Sequence, residues 1–329
     1  MKLNLTRIAL AGLLSLATVG LAQAADNLPT YTKPKEAGVD YQIQGEYVGK
    51  LVINGNEVPF GAQVIALGNG EFDGVGYPGG LPGEGWSRGM ETHKAQGKLK
   101  DGVVTMEGDH GKVTIADGMI TVYTTDGDKI GTLKKTVRKS PTLGAKPPKG
   151  ATVLFDGSNT DAFEKGQIVQ DNLLLADTYT KEKLGDHSLH IEFMPPFKPE
   201  ARGQARGNSG VYVQGRYEVQ VLDSFGLDGA DNECGGIYKV SKPIVNMCYP
   251  PLTWQTYDID FTAAKYNEAD EKTENARVTV KHNGVVIHDD LELPMHTPGR
   301  EQEANKPASL YLQGHGNPVV YKNIWVIKK

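Results

Sequence analysis

Val278-Thr279-Val280-Lys281-His282-Asn283-Gly284-Val285-Val286-Ile287-His288 is the stretch on which the reading of the fold turns. Two β-branched runs flank an Asn-Gly pair, and that pair tolerates the positive φ a type I′ hairpin turn needs at both central positions. The same grammar spreads outward. Strand candidates recur at 189–193, 210–214, 217–222, 254–261, 310–313 and 324–327, and upstream at 47–51, 62–67, 103–106, 112–115, 119–123 and 130–133. Between the upstream ones stand Asn54-Gly55, Gly68-Asn69-Gly70, Asp101-Gly102, Asp117-Gly118 and Asp126-Gly127, the turn chemistry of antiparallel hairpins. Only the polar, alanine-containing stretch 261–274 hints at a helix, and it reads equally as a loop.

The expected fold class is therefore all-β: a two-sheet jelly-roll sandwich over 151–329, preceded by a smaller antiparallel β-domain over 40–138. Residues 139–150, with Pro141, Pro147 and Pro148 and no apolar periodicity, read as a short stiff linker. The stretch 77–86, rich in Gly and Pro and ending in Trp86, reads as an ordered loop that displays the tryptophan or covers a neighbour. A chain of 329 residues with 40 glycines and 18 prolines suits this many-turned architecture and leaves little room for long helices. Lys+Arg 35 against Asp+Glu 40, with no basic run past the first few residues, argues against a nucleic-acid surface.

Lys2 and Arg7 ahead of the apolar stretch 8–21 and the small-x-small Ala22-Gln23-Ala24 read as a secretory signal peptide over 1–24. The expected location is the periplasm or the exterior, after cleavage. No cysteine follows the cleavage site, so no lipid anchor is expected, and loss of Lys2 and Arg7 takes the net charge from -5 to -7, against adhesion to anionic lipid. Cys234 and Cys248, an even pair in an oxidising compartment, are a disulfide candidate that would contribute roughly 3 kcal/mol. Two buried thiols are the competing reading. The sequence leaves the oligomeric state open.

Alternation picks out the chemistry. In Tyr217-Glu218-Val219-Gln220-Val221-Leu222-Asp223, Val219 and Val221 share one face of a strand and Glu218 and Gln220 the other. Glu218 and Asp223 on one side of a groove would serve a glycosidase, but a regular strand sends Asp223 to the opposite side unless a bulge intervenes. A solvated sheet face is the plainer reading of the same residues. Asn208 is a candidate for holding a ligand hydroxyl or a turn residue, and Tyr212 and Trp254 for stacking on a sugar ring or packing in a core. His315, between glycines in Gln313-Gly314-His315-Gly316-Asn317-Pro318, would open its imidazole to a cleft or sit in a surface turn. His187, His190 and Glu192 have metal-ligand chemistry without an assured third ligand, so packing or surface placement is favoured.

The run from Arg206 to Ser224, with Cys234-Gly235-Gly236-Ile237-Tyr238, Trp254-Gln255-Thr256-Tyr257, His282-Asn283-Gly284-Val285-Val286 and Leu312-Gln313-Gly314-His315-Gly316-Asn317-Pro318, resembles the 3-keto-disaccharide hydrolase domain of exported bacterial proteins. The resemblance covers roughly 151–329; the segments 61–67 and 79–83 are similar to a small β-domain that precedes this module in some such proteins. It implies a concanavalin A-like jelly roll and an oxidised saccharide, a glycoside carrying a ketone at C3, as substrate. One departure is that Gly314 stands where the motif leads one to expect Asp.

A C3 ketone acidifies the C2 proton, so one base can start elimination of the C1 substituent, followed by hydration. Such a site needs a base and donors for the enolate oxygen, with a divalent metal left open and no other cofactor implied. Glu218 and His315 are the catalytic candidates here, and Asn208, Tyr212, Gln220, Asp223, Trp254 and Asn317 the substrate-binding ones. The alternatives are a conventional glycoside hydrolase using Glu218 and Asp223, and a glycan-binding module without catalysis. No glycine-rich nucleotide motif is present, so the oxidation itself belongs to another protein.

Overall fold

The computed structural model of the chain describes residues 28–329, so the signal-peptide expectation for 1–24 lies outside the described residues. Eight antiparallel strands between 45 and 136 close into a barrel. The order around it is Gly45–Ile53, Lys129–Thr136, Met119–Tyr123, Gly111–Ala116, Val103–Gly108, His93–Lys100, Glu71–Pro78 and Asn56–Gly68. Closure removes the open sheet edges that a small β-domain would otherwise expose. Two of the eight, Glu71–Pro78 and His93–Lys100, were not among the strand candidates. The first is broken by Gly74 and Gly76, and the second alternates half-buried and exposed positions with hardly an apolar side chain.

After the barrel come two packed sheets, as an all-β sandwich requires. The larger includes the strands Ile168–Val169, Leu173–Leu175, Val320–Lys328, His187–Met194, Gln255–Thr262, Ala276–His282 and Val285–Leu293 in that order, with Thr152–Phe155 also paired to Val320–Lys328. The smaller runs Phe163–Glu164, Thr178–Thr180, Tyr311–Leu312, Ser209–Val213, Tyr217–Val221. The core between them holds Val211, Val213, Val219, Val221 and Leu312 from the small sheet and Ile191, Phe193, Tyr257, Ile259, Val278 and Val280 from the large one. Asn283 and Gly284 adopt φ of 51° and 81°, the pair of positive values expected of the hairpin turn.

The stretch 261–274 forms no helix. The strand runs on to Thr262, and a short hairpin of Lys265–Tyr266 with Lys272–Glu274 follows. Asn267 decides this locally: its Oδ1 accepts from the backbone N–H of Ala269 and Glu271, closing a turn where a helix would need those groups in its own ladder. Cys234 and Cys248 are free, buried thiols lying against each other in the sandwich core, and the Cys234 sulfur is also 3.3 Å from the Tyr257 hydroxyl.

Barrel and sandwich share their cores. Ile65, Val75, Tyr77 and Leu81 of the first unit join the sandwich core, while Phe197 and Leu252 of the second join the barrel core. The loop 77–86 is wedged at this junction, with Trp86 edge-on to Tyr77 at 5.1 Å. At the barrel exit a buried Arg138 donates to Glu46 through Nε (2.8 Å) and Nη2 (2.5 Å) and to the Pro82 carbonyl (2.8 Å), and its guanidinium lies 5.0 Å over the Tyr249 ring of the sandwich. Gln63 donates to Glu46 and accepts from Tyr77, which completes the network.

Removing one partner of such a pair strands the other charge out of water, at a cost of about 3–5 kcal/mol. Arg138→Met should therefore lower the denaturation midpoint sharply, and adding Glu46→Leu should restore part of the loss, as measured by urea titration of the three proteins.

Candidate active site

The site follows from cross-strand register on the small sheet. Tyr179 pairs with Tyr311, Tyr311 with Tyr212, and Tyr212 with Glu218, so these four form one rung and share a face. On the next rung Gly210 pairs with Gln220, and the Gln313 N–H donates to the Gly210 carbonyl (2.8 Å). The intervening residues, Val211, Val219 and Leu312, point the other way into the core. A strand's two-residue period thus places an apolar floor on one side of the sheet and a polar face on the other.

Glu218 is 2 % exposed. Its Oε2 accepts from the Tyr212 hydroxyl at 2.7 Å, its one hydrogen-bond partner among the described residues. Its Oε1 lies over Gly210, where a Cβ would stand only 2.3 Å away, so the glycine is what gives the carboxylate its seat. Burial pushes the Glu218 carboxyl up to about 7, against the opposing pull of the Tyr212 bond and the Arg300 charge.

Around this group three buried amide oxygens lack a partner, Asn208 Oδ1, Gln220 Oε1 and Gln313 Oε1. The amide nitrogens of Asn208 and Gln220 both donate to Gln204 Oε1, at 2.9 and 3.1 Å, and that of Gln313 reaches the Tyr212 hydroxyl at 3.4 Å. With their N–H groups so engaged, the amides present acceptors, which suit the hydroxyls of a sugar. At the far end of the first rung Tyr179 and Tyr311 stack at 4.2 Å, and the exposed Arg300 lies 4.1 Å over Tyr311 while donating to both hydroxyls. Arg300 comes from the loop after the large sheet, and that loop is anchored where Thr297 Oγ1 accepts from the Glu218 N–H (3.0 Å).

Gly314 also has a steric explanation. A Cβ there would stand 2.4 Å from the Asp177 Cβ, so the space beside residue 314 is taken by the carboxylate just ahead of the strand Thr178–Thr180. Asp177 holds a positive φ of 77° to reach it and accepts from the Tyr311 hydroxyl at 3.2 Å.

The structure brings Glu218, Tyr212, Gln220 and Asn208 together and leaves other candidates elsewhere. Tyr212 orients the carboxylate through its hydroxyl and is itself buried. Asp223 follows the end of its strand and is tied to Arg206 by a buried ion pair of 2.6 Å, which fixes the chain near the barrel, where Arg206 also donates to the Ala66 carbonyl. Trp254 stands beside the large sheet, with the Lys322 ammonium 4.0 Å over its ring. His315 is exposed in the loop after Gln313, and Asn317 is held by Lys198 at 3.0 Å and by the His315 carbonyl. His187 turns inward against Phe261, whereas His190 and Glu192 face outward and are covered by the linker: Gly144 N–H donates to Glu192, and Thr142 holds the Asp258 that binds His190.

Sequence reasoning missed Tyr179, Tyr311, Gln313, Gln204, Asp177 and Arg300. Alternation in the candidate strand 310–313 would have found Tyr311 and Gln313, since both must share a face. Arg300 and Gln204 lie in irregular segments, where no periodic signal exists.

The sandwich with its separate β-domain belongs, by its matches, with the glycosyl hydrolase-like carbohydrate domains. The chain is a member of the 3-keto-alpha-glucoside-1,2-lyase-like domain family, whose pattern matches residues 150–327, more than half of its length. Among solved structures it is similar to a candidate glycosyl hydrolase from Parabacteroides distasonis, at 34% identity and a TM-score of 0.51, covering 55% of this chain and 85% of that one. A second candidate glycosyl hydrolase from the same organism is 16% identical with a TM-score of 0.41, covering 59% and 98%. No curated protein matches the chain.

Because the Tyr212 bond lowers the Glu218 pKa, Tyr212→Phe should move its titration upward. Carboxyl-carbon NMR of Glu218 should give a midpoint near 7 in the native protein and a higher one in the variant; an unchanged midpoint would deny the hydroxyl this role.

Proposed function

We infer that the chain cleaves glycosides oxidised at C3 of the sugar, with Glu218 as the base that removes the C2 proton. The ketone makes that proton acidic, and the electron pair passes into the C2–C3 bond as the enolate forms. When the pair returns, C1=C2 forms and the C1–O bond breaks. The departing oxygen takes up a proton, which the newly protonated Glu218 carries, and addition of water at C1 then completes hydrolysis.

The observation that carries this reading is the solitude of Glu218. An ordinary glycosidase needs a second carboxyl group about 5–10 Å from the first. Asp223 is spent on Arg206, and Asp177, just ahead of the strand Thr178–Thr180, is engaged by the Tyr311 hydroxyl at the other end of the rung. A base with a pKa near 7 is matched to abstraction of a ketone's α-proton at neutral pH. The exposed Arg300 guanidinium, lying over Tyr311 on the same rung, supplies positive charge suited to an enolate oxygen. Asn208, Gln220 and Gln313 would accept from sugar hydroxyls. The substrate is supplied by a separate oxidation, and export through residues 1–24 would place the reaction outside the cytoplasm.

Turnover of a 3-keto-glucoside should rise with pH through about 7, because only the ionised carboxylate abstracts a proton, and should level off above it. Glu218→Gln should cost roughly 10²–10⁴-fold. The reading is sunk by undiminished turnover in that variant, or by equal cleavage of the unoxidised disaccharide, which would point to conventional hydrolysis. Binding of either sugar without product would leave a lectin-like module.

A further inference from the structure

The barrel carries a second cluster of chemically able side chains, far in sequence from Glu218. Glu91, His93 and His110 bring one potential ligand atom each to within 4.8 Å of one another. His93 opens the strand His93–Lys100, and His110 occupies the two-residue turn between Val103–Gly108 and Gly111–Ala116, so the turn overhangs the start of the neighbouring strand. The imidazoles meet edge to face at 4.7 Å, and Phe60 stacks on His93 at 6.0 Å. Phe60 reaches that position because its strand lies beside Gly76, where a Cβ would stand 2.8 Å from the ring. Glu91 is fixed at its backbone, its carbonyl accepting from the Trp86 indole at 3.0 Å.

A second, independent observation points to a ligand. His93 Nδ1 is buried and has no hydrogen-bond partner. An imidazole nitrogen shut off from water costs about 1–3 kcal/mol unless something meets it. No protein group among the described residues does. Both histidines also border an apolar cavity of about 290 Å³ inside the barrel, lined by Phe60, Met106, Ile120 and Leu133 among others. Of the three, His93 is half-buried while Glu91 and His110 stay open to solvent, so an ion can reach them from outside.

We propose that the mouth of the barrel is a binding site for a divalent transition-metal ion, held by His93 through Nδ1, by His110 and by the Glu91 carboxylate. Two imidazoles with one carboxylate suit zinc or a neighbouring first-row metal and disfavour magnesium and calcium, which prefer oxygen. A tetrahedral ion with bonds of about 2.1 Å sets its ligands roughly 3.4 Å apart, so only small side-chain rotations separate the present arrangement from a bound one. Three protein ligands leave a position open to water or to a donor group of a molecule in the lumen.

The test is titration of the chelator-treated full chain with zinc by calorimetry, and with cobalt(II) by its visible spectrum. One saturable site with an intense tetrahedral cobalt band is expected. Binding should weaken at least tenfold in Glu91→Gln and vanish in His93→Ala and in His110→Ala; the latter alters an exposed turn, and circular dichroism of each variant checks its fold. His296→Ala and Glu218→Gln should bind as the native chain does, which separates this site from stray histidines and from the sugar site. Absence of a saturable site, or its survival in the His93→Ala/His110→Ala double variant, overturns the proposal.

Discussion

A β-strand must send successive side chains to opposite faces, and the sandwich's polar site is built on that constraint. In the pair Ser209–Val213 and Tyr217–Val221 the odd-numbered valines on each strand enter the core, which leaves Gly210, Tyr212, Glu218 and Gln220 no choice but the other face. A one-residue slip would bury Glu218 between the sheets and expose the valines, so the same apolar burial that holds the sheets together fixes the site's register. Holding Glu218 near pKa 7 makes its charged form on the order of 3 kcal/mol costlier than in water. The sign follows: the folded pKa lies above the unfolded one, so this cost grows as pH rises out of the usual carboxylate range and is complete above about 7. The packed valines bear that cost.

The second unit of structure is the junction. The Arg138–Glu46 pair and the exchange of apolar side chains between barrel and sandwich make the two share one interior. The intervening linker contributes as well. It lies along the outer face of the large sheet, where Ser140 meets Thr256 (2.6 Å) and the Ala145 carbonyl accepts from Asn323 and Trp325. Of the polar residues that look like ligands in the sequence, Glu192 accepts from the Gly144 N–H of this strap, and His190 holds the Asp258 to which Thr142 of the strap donates. Buried polar groups need partners, and a proline-rich segment without its own ladder needs them most.

Legibility tracked local rules. The Asn283-Gly284 turn, the two-unit division and the polar face of Glu218 and Gln220 were readable because each depends on turn chemistry or on the two-residue period. The strand His93–Lys100 was not, because a barrel accepts alternation without large apolar residues when glycines such as Gly97 let strands close in; a Cβ there would stand 2.0 Å from the Thr105 carbonyl oxygen. Asp223 misled for the opposite reason. Its spacing from Glu218 suggested a shared groove, but the strand ends at Val221, and Arg206, from an irregular segment, captures the carboxylate. Tertiary partners of that kind leave no trace in periodicity. The polar cluster at Tyr179, Tyr311 and Arg300 is assembled from three separate segments for the same reason.

Gly314 shows how a glycine beside one strand makes room for a side chain from beside the next. Neighbouring strands stand about 4.8 Å apart, so a carboxylate from either one can occupy the same space above the sheet. Here Asp177 fills it, and only a glycine opposite permits this, since any Cβ at 314 would collide with the aspartate. Asp177 adopts a left-handed backbone to do so, a conformation costing on the order of 1 kcal/mol or more, persisting where the surroundings enforce it. Its oxygen then meets the Tyr311 hydroxyl, which Arg300 also grips, and the rung from Glu218 to Tyr179 ends in a balanced acid-base cluster. Gly314 thus leaves room at that end of the sheet for the Asp177 carboxylate, which comes from just ahead of the strand Thr178–Thr180.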